Sequence, residues 1–189
     1  MSWLKVIAGA VVLLILAIGG CSDSSTNPRL DGENLLTNGS FEIEGQPSLA
    51  GWSNFDSTIA GIASEAAPGG GDYSLEIGTS WLPPTGIVWT YVPDAHDGDI
   101  LSLSAMARVL GGENLPAVLA ISVGGQPGWI GWNNGKSTSF SNSEWTQVSL
   151  LDTLSLTPSD SVWVVLVGPG CEVCWGGTAY FDLVRVERM

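Results

Sequence analysis

Apolar residues along this chain alternate with polar ones or run in short blocks, and Gly, Pro, Asn or Asp separates the blocks. Outside the N-terminal segment, no convincing stretch follows the i, i+3, i+4 spacing of an amphipathic helix. The pattern predicts strands from Leu35–Leu36 toward Phe41, and over Trp52–Phe55, Thr58–Glu65, Tyr73–Gly78, Gly86–Val92, Asp99–Leu110, Ala117–Val123, Glu144–Leu151, Ser161–Val167 and Thr178–Glu187. So many short strands at this spacing predict an all-β fold, a sandwich or jelly roll of antiparallel sheets. Leu101, Leu103, Ala105, Ala107 and Val109 share one strand face and are assigned to the core; Ser102, Ser104, Met106 and Arg108 share the other. Val162–Val167 is apolar on both faces, as a central strand is. Trp52, Trp145 and Trp163 are assigned to the core, whereas Trp89, on one face with Ile87 and Tyr91, fits either side.

The N-terminal segment follows another logic. Lys5 precedes an apolar run, Val6–Ile18, whose 13 residues fall short of the ~20 that span a bilayer. The run ends Ile18-Gly19-Gly20-Cys21, which resembles a bacterial lipobox, with Cys21 as the lipid acceptor. A plain secretory signal or an uncleaved anchor is the alternative. Residues 1–20 are thus expected to be a lipoprotein signal peptide, 21–32 a lipidated Cys and flexible tether, and 33–189 the folded domain. Eleven tether residues, Ser22–Gly32, reach at most ~35 Å. A bacterial cell-envelope location follows, with the outer membrane favoured by Ser22 where the host has two membranes.

Composition narrows the partners. A net charge of −13 largely excludes nucleic acid, which needs a basic patch. A single His excludes a His-rich metal site. That residue, His96, lies in an acidic Gly-terminated stretch and is assigned to a solvated turn. No nucleophile elbow, P-loop, dinucleotide fingerprint or H-E-x-x-H occurs. Nine Trp are many for a chain of this size. Trp81, Trp129, Trp132 and Trp175 lie in Gly/Pro-rich connections, and Gly128-Trp129-Ile130-Gly131-Trp132-Asn133-Asn134-Gly135 is the most unusual of these.

Cys171 and Cys174 form C-x-x-C between Gly-Pro-Gly and Trp-Gly-Gly. In an exported chain the default is a disulfide that stiffens the loop; free thiols, a redox pair and a metal site are the alternatives.

Four stretches in order resemble the galactose-binding-like jelly roll of carbohydrate-binding modules in families four, nine and twenty-two. They are Asn34-Leu35-Leu36-Thr37-Asn38-Gly39-Ser40-Phe41-Glu42 with Gly51-Trp52, Gly71-Asp72-Tyr73-Ser74-Leu75, Gly98–Ala107, and Ala179-Tyr180-Phe181-Asp182-Leu183-Val184. Leu101 stands where Tyr is usual. The resemblance implies a single jelly-roll sandwich over residues 33–189. It also implies a structural Ca²⁺ held by Glu42 and Asp182, with carbonyls from Ser40 and from the Gly70–Tyr73 turn. Gly70 stands where some relatives carry a further acidic ligand. Two exposed carboxylates at strand ends are the alternative.

The resemblance further implies a sugar groove flanked by Trp129 and Trp81; in the residues themselves, Trp132 is expected to line it beside Trp129, Arg108, turned out of the core by alternation, to form its floor, and Gln126, Asn133 and Asn134 to bond hydroxyls. The acidic net charge favours neutral polysaccharide. In the alternative, the two Trp close the sandwich end and Arg108 sits in a surface salt bridge. The expected function is a non-catalytic, surface-tethered carbohydrate-binding module, monomeric, attached to the membrane through its lipid. The competing readings are a structural or protein-interaction lipoprotein with the same fold and no groove, and a small hydrolase using two carboxylates.

Overall fold

The computed structural model describes residues 32–54, 59–78, 86–111, 115–127, 135–170 and 176–189. Among them there are twelve strands: β1 (Glu42–Ile43), β2 (Gln46–Pro47), β3 (Ser53–Asn54), β4 (Ala60–Ala63), β5 (Ser74–Gly78), β6 (Ile87–Tyr91), β7 (Ile100–Leu110), β8 (Ala117–Gly124), β9 (Ser137–Phe140), β10 (Thr146–Thr153), β11 (Ser161–Val167) and β12 (Thr178–Arg188). Two antiparallel five-stranded sheets, in the orders β10-β7-β12-β5-β4 and β3-β6-β11-β8-β9, face each other, and β1-β2 forms a small hairpin. This is the jelly-roll sandwich expected from the strand spacing. No helix among the described residues is long and apolar enough to cross a membrane.

Alternation along β7 builds one wall of the core. Leu101, Leu103, Ala105, Ala107 and Val109 are all buried and point toward the other sheet, which contributes Val88, Leu119, Ile121, Val162, Val164 and Leu166. Phe181 from β12 meets Phe140 from β9 edge to face at 5.5 Å. Each such side chain contributes ~1.5–3 kcal/mol by leaving water.

Three sequence expectations change. Residues 35–41 form no strand. Side chains pin this segment instead: Asn34 Oδ1 accepts the N–H groups of Leu36 and Val186, and Asn38 Nδ2 donates to the carbonyls of Ser48 and Ala50. Trp145 and Trp163 are not core; each is half-buried on the outer face of its sheet. β9 was not expected, because Ser137–Phe140 is polar apart from its one buried residue, Phe140. Trp52 does pack on the core, with its ring 5.1 Å from that of Phe41.

The β12 register slips by one residue between Asp182 and Arg185. Such a bulge re-aims a side chain. Here Leu183 takes a left-handed φ of 50°, and Val184 N–H donates to Gly39 O at 2.8 Å. The N-terminal segment therefore docks on the bulge, and Asp182 stands beside it.

Candidate functional site

Two places collect the residues that carry chemistry. The first is built on Glu42 and Asp182, from opposite ends of the domain sequence. Glu42 Oε1 accepts the N–H groups of Asp72 at 2.5 Å and Tyr73 at 2.6 Å. Asp182 is buried; its Oδ2 accepts Ala67 N–H at 2.9 Å and its Oδ1 accepts Leu183 N–H at 2.7 Å. The Gly70-Gly71 turn lies between them. A Cβ on Gly70 would overlap Asp182 Oδ2, and one on Gly71 would overlap the Glu42 carboxylate. The missing acidic residue at position 70 thus has a steric reason, since no side chain fits beside Asp182 there. Burial pushes the Asp182 carboxyl above its ordinary range; the Ala67 and Leu183 N–H groups oppose this, and the Glu42 charge adds to it.

Neither carboxylate has an ion-pair partner among the described residues. Both are flanked by strained backbone: Phe41 has φ 57° and Leu183 φ 50°. Non-Gly residues in that region cost on the order of 1–3 kcal/mol each and cluster at functional sites. Two uncompensated carboxylates closing on one turn suit a hard cation. No third His, Cys, Asp or Glu joins them among the described residues, so carbonyls or water must complete any coordination shell. Asp182 at least is not the exposed carboxylate of the alternative reading. Ser40 lies in the turn before Phe41, and Tyr73 contributes its N–H to Glu42.

The second place is the outer face of the β3-β6-β11-β8-β9 sheet. Ile87, Trp89, Ala120, Val165 and Val167 form a buried apolar cluster there, separate from the main core, with Val118 and Trp163 packed on it. β11 is therefore apolar on both faces, which is why its sequence gave no inward or outward signal. At the Gly124 end of this face, Tyr91 is 51% exposed and meets Trp163 edge-on at 5.4 Å. Trp163 Nε1 donates to Gly124 O at 3.4 Å, and exposed Gln126 lies two residues further on. Sequence reading missed this Tyr91–Trp163 pair. Its available signal was the alternation of Ile87, Trp89 and Tyr91.

Arg108 points out of the core, as alternation predicts, but from the other sheet. Its guanidinium lies between the rings of Trp145 and Tyr180, 4.8 and 4.9 Å from their centroids, and pairs with Glu65. Arg108 and Gln126 are on different sheets, so no groove among the described residues holds both. The structure thus pairs Arg108 with Glu65 and does not bring it together with Gln126. Trp81, Trp129, Trp132, Asn133, Asn134, Cys21, Cys171 and Cys174 lie outside the described residues. His96 is in an exposed turn, its N–H donating to Asp99 Oδ2 at 2.9 Å.

No protein-family model matches the chain, and no curated protein does. Solved structures share its fold. The family 22 xylan-binding domain of Paenibacillus barcinonensis Xyn10C has a TM-score of 0.56 at 16% identity, over 83% of this chain and 95% of that one. A family 16 carbohydrate-binding module has a TM-score of 0.56 at 15% identity, over 81% and 99%. An arabinose-bound α-L-arabinofuranosidase has a TM-score of 0.56 at 18% identity, over 84% of this chain but 27% of that one. At these identities the likeness establishes the fold.

Proposed function

We propose that this chain is a non-catalytic carbohydrate-binding module for neutral polysaccharide, tethered to a bacterial envelope. The observation that carries the reading is the Tyr91–Trp163 pair, with Tyr91 exposed, on the outer face of the β3-β6-β11-β8-β9 sheet. Aromatic surfaces with a few polar neighbours suit the apolar faces of sugar rings and their hydroxyls. Solved carbohydrate-binding modules of the same fold support it, one of them a xylan-binding domain. Gln126 opens the connection that carries Trp129, Trp132, Asn133 and Asn134, at the same end of the sheet as Tyr91. The connection that carries Trp81 enters from the opposite, Ile87 end. Because Ile87, Trp89, Ala120, Val165 and Val167 are buried, the proposed site lies at the Tyr91 end of this face.

Affinity electrophoresis of the full chain against xylan, β-glucan and mannan tests the reading. Retardation by at least one of them, lost in Tyr91→Ala or Trp163→Ala with the fold intact, is expected. No retardation by any of the three overturns it and favours the structural lipoprotein.

In the same reading, Glu42 and Asp182 hold a structural Ca²⁺, for which their two uncompensated carboxylates fit. The ion would neutralise the pair and tie the start of the domain to β12. Cys21 carries the lipid anchor, and Cys171 pairs with Cys174. Cys21→Ala protein that still fractionates with membranes and migrates like wild type would remove the anchor from the proposal.

A further inference from the structure

The cleft beside Asp152 belongs to neither of these places. Along β10, Val148 and Leu150 pack against the core, and alternation puts Asp152 on the same inward side at the end of that row. It comes to rest where the end of β10, the β10–β11 connection and the start of β9 meet. A cleft of about 440 Å³ opens there, within the ~300–1,000 Å³ range of small-molecule sites. Asp152, Thr153, Ser155 and Asp160 line it, with Lys136 opposite, and Val123 and Gly135 supply an apolar wall.

Asp152 is only 8% exposed. Its carboxylate accepts no hydrogen bond from a described residue, and its one partner is Lys136 Nζ at 3.7 Å, beyond hydrogen-bond reach. Lys136 donates instead to Leu151 O at 3.1 Å. The Asp152 carboxylate therefore keeps free acceptor capacity that faces the cleft. By contrast, Asp160 is satisfied: its Oδ2 accepts the N–H and hydroxyl of Thr157 at 2.7 and 2.8 Å, which fixes that wall. The hydroxyls of Thr153 and Ser155 have no partner among the described residues.

The charges select the occupant. An anion is opposed by Asp152, Asp160 and the net charge of −13. A cation is opposed by Lys136, already at the carboxylate. A neutral molecule that both donates and accepts is not opposed, and neighbouring sugar hydroxyls do both. We propose that the Asp152 cleft is a second binding site, which takes one neutral sugar residue or polyol end. It extends the carbohydrate-binding reading, yet shares no residue with the Tyr91–Trp163 face.

The test is saturation-transfer NMR on the full chain in detergent, with glucose, galactose, mannose and xylose at millimolar concentration. Transfer to at least one sugar is expected, with affinity reduced about tenfold or more in Asp152→Asn, the size of a lost hydrogen bond to a charged group. Ser155→Trp, at an exposed position, fills the cleft without touching the core and should abolish transfer. Tyr91→Ala should leave transfer intact while removing retardation by polysaccharide. No transfer from any of the four sugars overturns the site. Transfer that survives Ser155→Trp and is lost in Tyr91→Ala also overturns it, and leaves the aromatic face as the only sugar site. Transfer lost in Ser155→Trp while polysaccharide retardation persists establishes the cleft as separate.

Discussion

The Asp182 carboxylate accepts the N–H of Ala67, 115 residues away in sequence, at 2.9 Å. That bond places the 67–73 turn against β12, and Glu42 holds the far side of the same turn. The carboxylates thus have a structural task whether or not an ion is bound. Gly70 is the point at which this packing is tightest. In Gly70→Ala the new Cβ overlaps Asp182 Oδ2 and lies 3.1 Å from Ala67 O, and overpacking of this kind costs about 1–3 kcal/mol. Gly69→Ala is the control: its φ is 85° but nothing lies within 4 Å, so it costs about 1–2 kcal/mol from backbone strain alone. Urea melts should show both losses. Only Gly70→Ala should also abolish stabilisation by Ca²⁺.

An ion at the proposed site would compete with the proton at Asp182. Its folded-state pKa is raised above 3.8, first by burial. The associated stability is therefore complete below the unfolded value and is lost as pH rises through the folded one. Chelated protein should lose this contribution on going from acid toward neutrality. A cation that binds the ionised form restores it, by about 2.7 kcal/mol at a hundredfold excess over Kd. The difference in Tm between Ca²⁺ and EDTA should consequently grow with pH, starting from just above the usual Asp range of about 3.9. A difference that is absent, or flat across that window, would count against an ion at this pair.

Arg108 separates stability from binding. Its side chain is 12% exposed, held between Trp145 and Tyr180 and paired with Glu65. Each cation–π contact contributes about 0.5–2 kcal/mol. Arg108→Ala should lower stability by about 1–3 kcal/mol in a denaturant melt and leave polysaccharide retardation unchanged, because the residue is on the sheet opposite Gln126. A loss of retardation with the fold intact would return Arg108 to the groove.

The difference between what sequence reveals and what it hides follows from where the information resides. Alternation along β7 announced the core, because one face is apolar and the other polar. It announced the outward direction of Arg108 for the same reason. It could not separate Trp163 from the core, to which sequence assigns it, since Val165 and Val167 on its own face are as apolar as Val162 and Val164 on the other. The partner of Arg108 was illegible because Glu65 reaches it through tertiary packing, not spacing. Glu42 and Asp182 were paired only by the resemblance of two motifs. The β12 bulge that seats Asp182, and the Asn34 and Asn38 side chains that replace a strand over 35–41, appear only with the fold.

Asn38 is the sharpest example. It is buried, its side-chain Nδ2 donates to Ser48 O at 2.9 Å and Ala50 O at 3.1 Å, and its backbone carbonyl accepts Trp52 Nε1–H at 2.7 Å. These bonds close the loop that contains Phe41 and Glu42. Asn38→Ala strands two carbonyls and should cost about 1–3 kcal/mol. Asn38→Asp should cost more at pH 7, because a carboxylate cannot donate and would face those same two carbonyls. Protonation supplies one O–H donor, so lowering the pH through the carboxylate range should narrow the gap between the Asp and Ala variants. Both should weaken the Ca²⁺ response, since Glu42 rides on the loop. Urea melts of the three proteins at about pH 4 and 7 give the ranking. An Asn38→Asp protein as stable at neutral pH as wild type would show that the two donated hydrogen bonds do not hold this loop.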